Sequence, residues 1–184
     1  MNLDIRNGTQ AQLETGALDL SSHKLEPLGG DGELALYRAH PAEASKSSPS
    51  MLVVVPLTQP SPAALRRMRH EYALRGQLDG ASAVRPLVLA QLEGRSALVL
   101  EDPGGMPLDR LLSGPMQIAG FLRLAATIAG ALGQLHKRGL VHKDVKPANI
   151  LVDAADDRVW LMGLGLASRL PRERQSPAPP ELIA

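Results

Sequence analysis

Between His142 and Val152 the chain reads His-Lys-Asp-Val-Lys-Pro-Ala-Asn-Ile-Leu-Val. Three side chains there carry complementary chemistry at short spacing: the carboxylate of Asp144, the ammonium of Lys146 and the amide of Asn149. A carboxylate can accept or orient the proton of an attacking hydroxyl, an amide oxygen can ligate magnesium, and a lysine between them sets a positive charge beside a reacting anion. A polar loop matching by accident would have to supply all of these in register between an amphipathic helix and an apolar strand. His142 reads as a structural anchor of the loop rather than as an acid or base.

The elements that must hold this loop are well punctuated. Residues 115–136 predict a helix: Pro115 opens it, Ile118, Leu122, Ala125, Ile128, Leu132 and Leu135 form one apolar stripe, and Lys137, Arg138 and Gly139 close it. After the loop, the polar turn DAADDR separates Leu140–Val152 from a strand-like run at 159–164. Upstream, 33–38, 51–57, 86–90 and 95–101 are short, Val/Leu-rich and bounded by Gly, Pro or Ser, which predicts strands. A helix over 61–78 lies among them, with Ser61 as N-cap, Pro62 at its first position and Gly80 past its end. The stretch from Ser168 to Pro180 is Arg- and Pro-rich and predicts irregular chain. A strand-rich half followed by a helical half is an α+β order, not the alternation of a doubly wound sheet.

Composition narrows the function. At 184 residues the chain suffices for one domain or two small lobes sharing a cleft. Twenty basic residues against 19 acidic ones leave no field drawing it to nucleic acid, and four aromatic side chains (Tyr37, Tyr72, Phe121, Trp160) make a base-stacking platform unlike this sequence. The absence of cysteine fits a reducing cytoplasm. The N-terminus MNLDIRNGTQ is no signal peptide, and the longest wholly apolar run, Met51 to Val55, falls far short of the roughly 20 residues that span a bilayer. The expectation is therefore no nucleic acid and no membrane insertion. Trp160 reads as core, and SPAPP as a spacer.

The run from His142 to Val152 resembles the catalytic loop of protein kinases. In that resemblance Asp144 handles the hydroxyl proton, Asn149 ligates magnesium, and Lys146, beside the phosphoryl group in flight, marks the serine/threonine type. Leu98 to Gly105, followed by Leu108, resembles the hinge between lobes, with Leu100 and Glu101 bordering the nucleotide; Glu71 stands where kinases keep a helix glutamate; and GGDGELALYR, with Gly30 and Gly32, resembles a worn glycine-rich loop. Phrases such as HKDVKPANILVD, HEYALR, LVLEDPGG and GLGLASRLPRERQSPAPPELIA resemble the N-terminal kinase-like domain of large bacterial multidomain sensor histidine kinases. The resemblance implies a two-lobed kinase-like fold over 1–184, with a small antiparallel N-lobe at 20–101 and a hinge and incomplete helical C-lobe at 102–184. It implies ATP and magnesium as cofactors, and a nucleotide and a protein substrate or regulatory partner. The family's domains continue beyond the point matching Ala184, so the stripe on 115–136 is expected to leave apolar surface exposed and solubility poor.

The pattern breaks at four places. The metal-binding Asp-Phe-Gly is here Gly163-Leu164-Gly165, which removes a carboxylate ligand. The strand lysine falls at Pro56, with no lysine nearer than Lys46. Glu71 thereby loses its usual partner and is expected as a solvated pair with Arg75. Pro103 lacks the hinge N–H that meets adenine, and the glycines do not all come into register. Lys143 replaces an arginine and lacks its planar fork. Loss of one preorganised charge group costs on the order of 10²–10³ in rate, so two such losses bring a kinase working at ~1–100 per second to roughly one turnover in minutes or slower. The reading is a kinase-family domain, weak or inactive in transfer and regulatory in role. An active atypical kinase, with the metal held by Asn149 and the Asp156-Asp157 turn or by the phosphates alone, is the alternative; a small-molecule phosphotransferase is disfavoured by Lys146. Ser168 and Ser176, flanked by Arg169, Arg172 and Arg174, lie where kinases carry an activation segment.

Overall fold

In the computed structural model, residues 20, 23–41, 49–57, 60–92 and 94–170 are described. Alternating Val/Leu pairs in β3 (Met51–Pro56) send Leu52 and Val54 to one face of a sheet and Val53 and Val55 to the other. This strand is central in a five-stranded antiparallel sheet of order β1-β2-β3-β5-β4, completed by β1 (His23–Gly30), β2 (Leu34–Pro41), β4 (Pro86–Leu92) and β5 (Arg95–Glu101). One face packs Leu36, Leu52, Leu98 and Leu100 with Met68 of the helix α1 (Pro62–Ala73); the other gathers Ala35, Ala39, Val53, Val55 and Ala97 around Leu20. β1 is an element that the strand pattern left out.

The start of α1 is as its sequence predicts: Ser61 Oγ accepts the Ala64 N–H at 3.0 Å, and Pro62 occupies the first turn. Its end is earlier. Gly76 weakens the helix, the chain passes into a 3-10 turn at Arg75–Gln77, and Leu74 and Leu78 tuck into a second core with Leu135, Leu140, Ile150, Leu161 and Leu164.

That second core belongs to the helical half: β6 (Met106–Pro107), α2 (Leu108–Leu111), α3 (Ile118–Lys137), β7 (Leu140–Val141), β8 (Ile150–Asp153), β9 (Arg158–Leu161) and β10 (Ser168–Arg169). Strands β6, β8 and β9 form one small sheet, and β10 pairs with β7, so Ser168 and Arg169 are strand rather than irregular chain. Ser176, Arg172, Arg174 and SPAPP lie outside the described residues. The architecture is the expected α+β kinase-like one: a small antiparallel sheet with its helix, followed by a part built on the long helix α3.

Two clasps join the halves. The backbone of Leu161 in β9 accepts from Val84 N–H at 2.8 Å and donates to Ser82 O at 3.0 Å. At the hinge, the buried Asp102 carboxylate accepts from Arg38 Nε at 2.8 Å, Ser50 Oγ at 2.6 Å and Gly104 N at 3.0 Å, while Arg38 also donates to Gly105 O. Burial alone would raise the Asp102 pKa, but the Ser50 and Arg38 bonds outweigh it and hold it below the ordinary value.

Pro115 does not open α3; the helix begins three residues later, at Ile118 after Gln117. Its stripe is split. Leu135 is buried and Ile128 and Leu132 lie partly buried against the core, whereas Ile118 is 77% exposed, Leu122 58% and neighbouring Phe121 55%. By length and composition α3 is long and apolar enough to cross a bilayer, with mean hydropathy 1.4, yet its C-terminal half packs against β9 and β7. The exposed end predicts self-association. Replacing Phe121 by Lys and Leu122 by Gln should raise the monomeric fraction in light scattering without lowering the melting temperature; equal aggregation by the variant would contradict it.

Candidate active site

The loop between β7 and β8 is fixed from beneath by His142. Its ring is 1% exposed; Nε2–H donates to Met162 O at 2.9 Å, and Nδ1 accepts the Asp144 N–H at 3.2 Å. The accepting role of Nδ1 requires the neutral ring, and burial holds its pKa below the usual imidazole value. Lys143, at φ +66°, turns the chain so that Asp144 follows. Pro147 then starts a 3-10 turn that ends on Asn149.

These constraints bring the three loop residues together. Asn149 Nδ2 donates to the Asp144 backbone carbonyl at 2.8 Å and to its Oδ2 at 2.9 Å, and Lys146 Nζ lies 2.9 Å from the same Oδ2. Asp144 is thus held from two sides, with a little over a quarter of its side chain exposed.

Facing the loop is the 163–165 turn. Gly163 has φ +71°, and a Cβ there would lie 2.7 Å from Asn149 Oδ1. At Gly165 a Cβ would lie 2.7 Å from Arg67 Cβ, so this glycine lets the turn approach α1 closely. The N–H of Gly163 donates to Glu71 Oε1 at 3.2 Å. Glu71 is not the solvated partner of Arg75 that its helical spacing suggested: it is buried, while Arg75 sits 4.3 Å over the Tyr72 ring and donates to Tyr72 O. Burial without a neighbouring cation pushes the Glu71 pKa up to about 7, against the opposing pull of the Leu164 and Gly163 amides.

Loop, turn and sheet line a solvent-open cleft. Leu28, Leu36, Val54, Leu100 and Met162 make an apolar end; Asp31, Arg67, Asp144, Lys146 and Asn149 make a polar end. Gly30 and Glu71 also line it, but Gly32 and Glu101 do not. Gly32 sits at the tip of the β1–β2 turn, where a Cβ would meet nothing within 4 Å, and Glu101 is turned outward to Arg85, whose Nε donates at 3.0 Å. Gly30 is needed for the hairpin itself, since a Cβ would meet Leu34 O at 2.4 Å. Pro56 ends the strand face that Val54 brings to the cleft, so no strand cation reaches it there; Lys46 lies outside the described residues. Sequence reasoning missed Arg67, Asp31 and Asp109 as lining residues. The spacing of Arg67 one turn before Glu71 was the available signal.

Magnesium fits this polar end poorly. Asn149 uses its amide nitrogen on Asp144 and leaves its oxygen facing Gly163, but no second carboxylate joins that oxygen: Asp144 is paired with Lys146, and the Glu71 carboxylate beside Gly163 is buried on backbone amides. Asp156 and Asp157 do not supply the missing ligand: they stand in the β8–β9 turn outside the cleft lining, against Arg158 at 3.4 Å and Arg123 at 3.8 Å. Among the described residues no group of three or more His, Asp or Glu is placed to hold a metal.

The protein kinase domain family matches residues 51–180, from β3 to beyond the catalytic loop and the 163–165 turn. The chain belongs to the protein kinase domain family. Similar kinases are of the serine/threonine type. The serine/threonine-protein kinase PknJ of Mycobacterium tuberculosis is 29% identical over 147 residues, 78% of this chain and 25% of the relative. PknH of the same organism is 32% identical over 110 residues, covering 59% of this chain and 17% of its own length. PknI of Mycobacterium bovis is 28% identical over 110 residues, covering 56% and 17%. The chain thus spans a quarter or less of the length of these kinases.

The elevated pKa of Glu71 carries a sign that can be measured. Its folded value of about 7 exceeds the ordinary 4.5, so the folded state holds an extra proton between those limits. Stability therefore falls as pH rises from about 4.5 to about 7, by roughly 3 kcal/mol in total. Glu71→Gln keeps an acceptor for Gly163 and should flatten this slope in urea unfolding at pH 5 and pH 8, leaving the variant the more stable at pH 8. An unchanged slope would show that Glu71 is ionised in the folded protein.

Proposed function

We propose that this chain is a degenerate serine/threonine-kinase-family domain that takes a nucleotide into its cleft and acts as a regulatory module, with little or no phosphoryl transfer. One observation carries the reading: the Asp144, Lys146 and Asn149 cluster is assembled, while Gly163 faces it and β3 brings Val54 rather than a cation to the cleft. The apolar end suits an adenine ring and the polar end its phosphates. Kinase transition states are stabilised chiefly by positioning and by metal and lysine charge, and both charges are missing from their usual places. Pro103 also offers no N–H at the hinge.

What such a module regulates follows from its family only in outline: a protein partner, read through the occupancy of the cleft. A cytoplasmic setting without membrane insertion suits the cysteine-free composition and the packing of the C-terminal half of α3 against the core. The resemblance to the N-terminal domain of bacterial sensor kinases suggests a partner downstream in signalling.

The test is transfer of labelled γ-phosphate to a general acceptor protein by wild type and Asp144→Ala. The expected result is no transfer above background by either, with ATP nevertheless raising the wild-type melting temperature. Transfer by wild type that Asp144→Ala abolishes would replace this reading with that of an atypical active kinase.

A further inference from the structure

The polar end of the cleft contains an arrangement that the kinase reading leaves unused. Asp31, in the β1–β2 turn, accepts the Leu34 and Glu33 N–H groups on Oδ1 at 2.8 and 3.1 Å. Its other oxygen accepts from Arg67 Nη1 at 2.9 Å, and Arg67 Nη2 donates to Glu33 at 2.6 Å. One carboxylate thus receives two backbone amides of the glycine-containing turn together with a guanidinium, the donor set that suits a phosphate oxygen.

The position of Arg67 is built rather than incidental. Gly165 admits the Arg67 stem and backbone against the 163–166 turn, so α1 lies close over the cleft. Arg67 and Lys146 are the two cations among the described residues that line it. Lys146 is committed to Asp144. Arg67 is committed only to carboxylates of a turn, with about a fifth of its side chain still exposed.

We propose that Arg67 is the phosphate-binding cation of this cleft, in the part left empty by Pro56, and that Asp31 acts as an internal anion which a nucleoside polyphosphate displaces. Guanidinium pairs bidentately with phosphate oxygens and stays charged at any working pH. Displacement frees the Glu33 and Leu34 amides at the same time, so the turn and the helix take the phosphates together. The carboxylate competes with ligand for the same donors, which lowers apparent affinity until it is removed.

The inference rests on the nucleotide reading, and equilibrium dialysis of labelled ATP and of labelled adenosine in magnesium-free buffer separates the two. Wild type should bind both. Arg67→Ala should weaken ATP by roughly 10-fold or more, as loss of a charge-assisted contact does, and leave adenosine unchanged; Arg67→Lys should fall between. Asp31→Asn should tighten ATP several-fold, a gain that a merely structural role for the pair would not produce, and a folded Asp31→Asn keeps the test decisive if Arg67→Ala unfolds. ATP binding unmoved in Arg67→Ala, or weakened in Asp31→Asn, overturns the assignment and leaves the nucleotide reading intact. Wild type binding neither ligand overturns both.

Discussion

The bridge from Asn149 to Asp144 is the contact on which the cleft's chemistry turns. The amide nitrogen of Asn149 holds both the backbone carbonyl and the carboxylate of Asp144, at 2.8 and 2.9 Å, and its oxygen comes up against Gly163. His142 supports the loop from below, and Lys146 closes on the carboxylate from the side. The same contact explains the tolerance for glycine at 163. A side chain there would need a left-handed backbone and would have to push the Asn149 amide aside.

A second consequence runs through the sheet. Without a cation on the β3 face, the Glu71 carboxylate has no ionic partner and settles on the amides of the 163–165 turn, where burial favours its protonated form. Where the kinase resemblance implies a glutamate linking helix to strand, Glu71 links helix to turn. Positive charge is instead delivered from α1 itself, one turn away, by Arg67. The cleft keeps a kinase outline with its charges redistributed.

Much of this was legible in the sequence where the information is local. Asp144, Lys146 and Asn149 sit in one short loop whose spacing speaks for itself, and Ser61 with Pro62 announces the start of α1 through bonds made within its first turn. The failures come from distance. Glu71 looked solvated because Arg75 is four residues on, while its real partner is Gly163, 92 residues away. Arg67 went unnoticed because Asp31 is 36 residues from it and joins it only when β1 and β2 fold over the helix. β1 escaped because Pro27 and its bulge break the alternation, and pairing with β2 supplies what its own pattern lacks. Pro115 misled because a proline suited to a helix's first turn is equally at home in the approach to it.

The central claim is that this cleft has a nucleotide site without a working metal site, and the magnesium dependence of ATP affinity tests it most directly. Calorimetric titration of the protein with ATP in EDTA and in millimolar magnesium should give dissociation constants within about threefold of each other, since no second acidic ligand stands beside Asn149 to couple the ion to the phosphates. Tightening by roughly a hundredfold or more on adding magnesium would mean that a metal ligand set exists in the cleft, and the account of a metal-deficient kinase domain would be wrong.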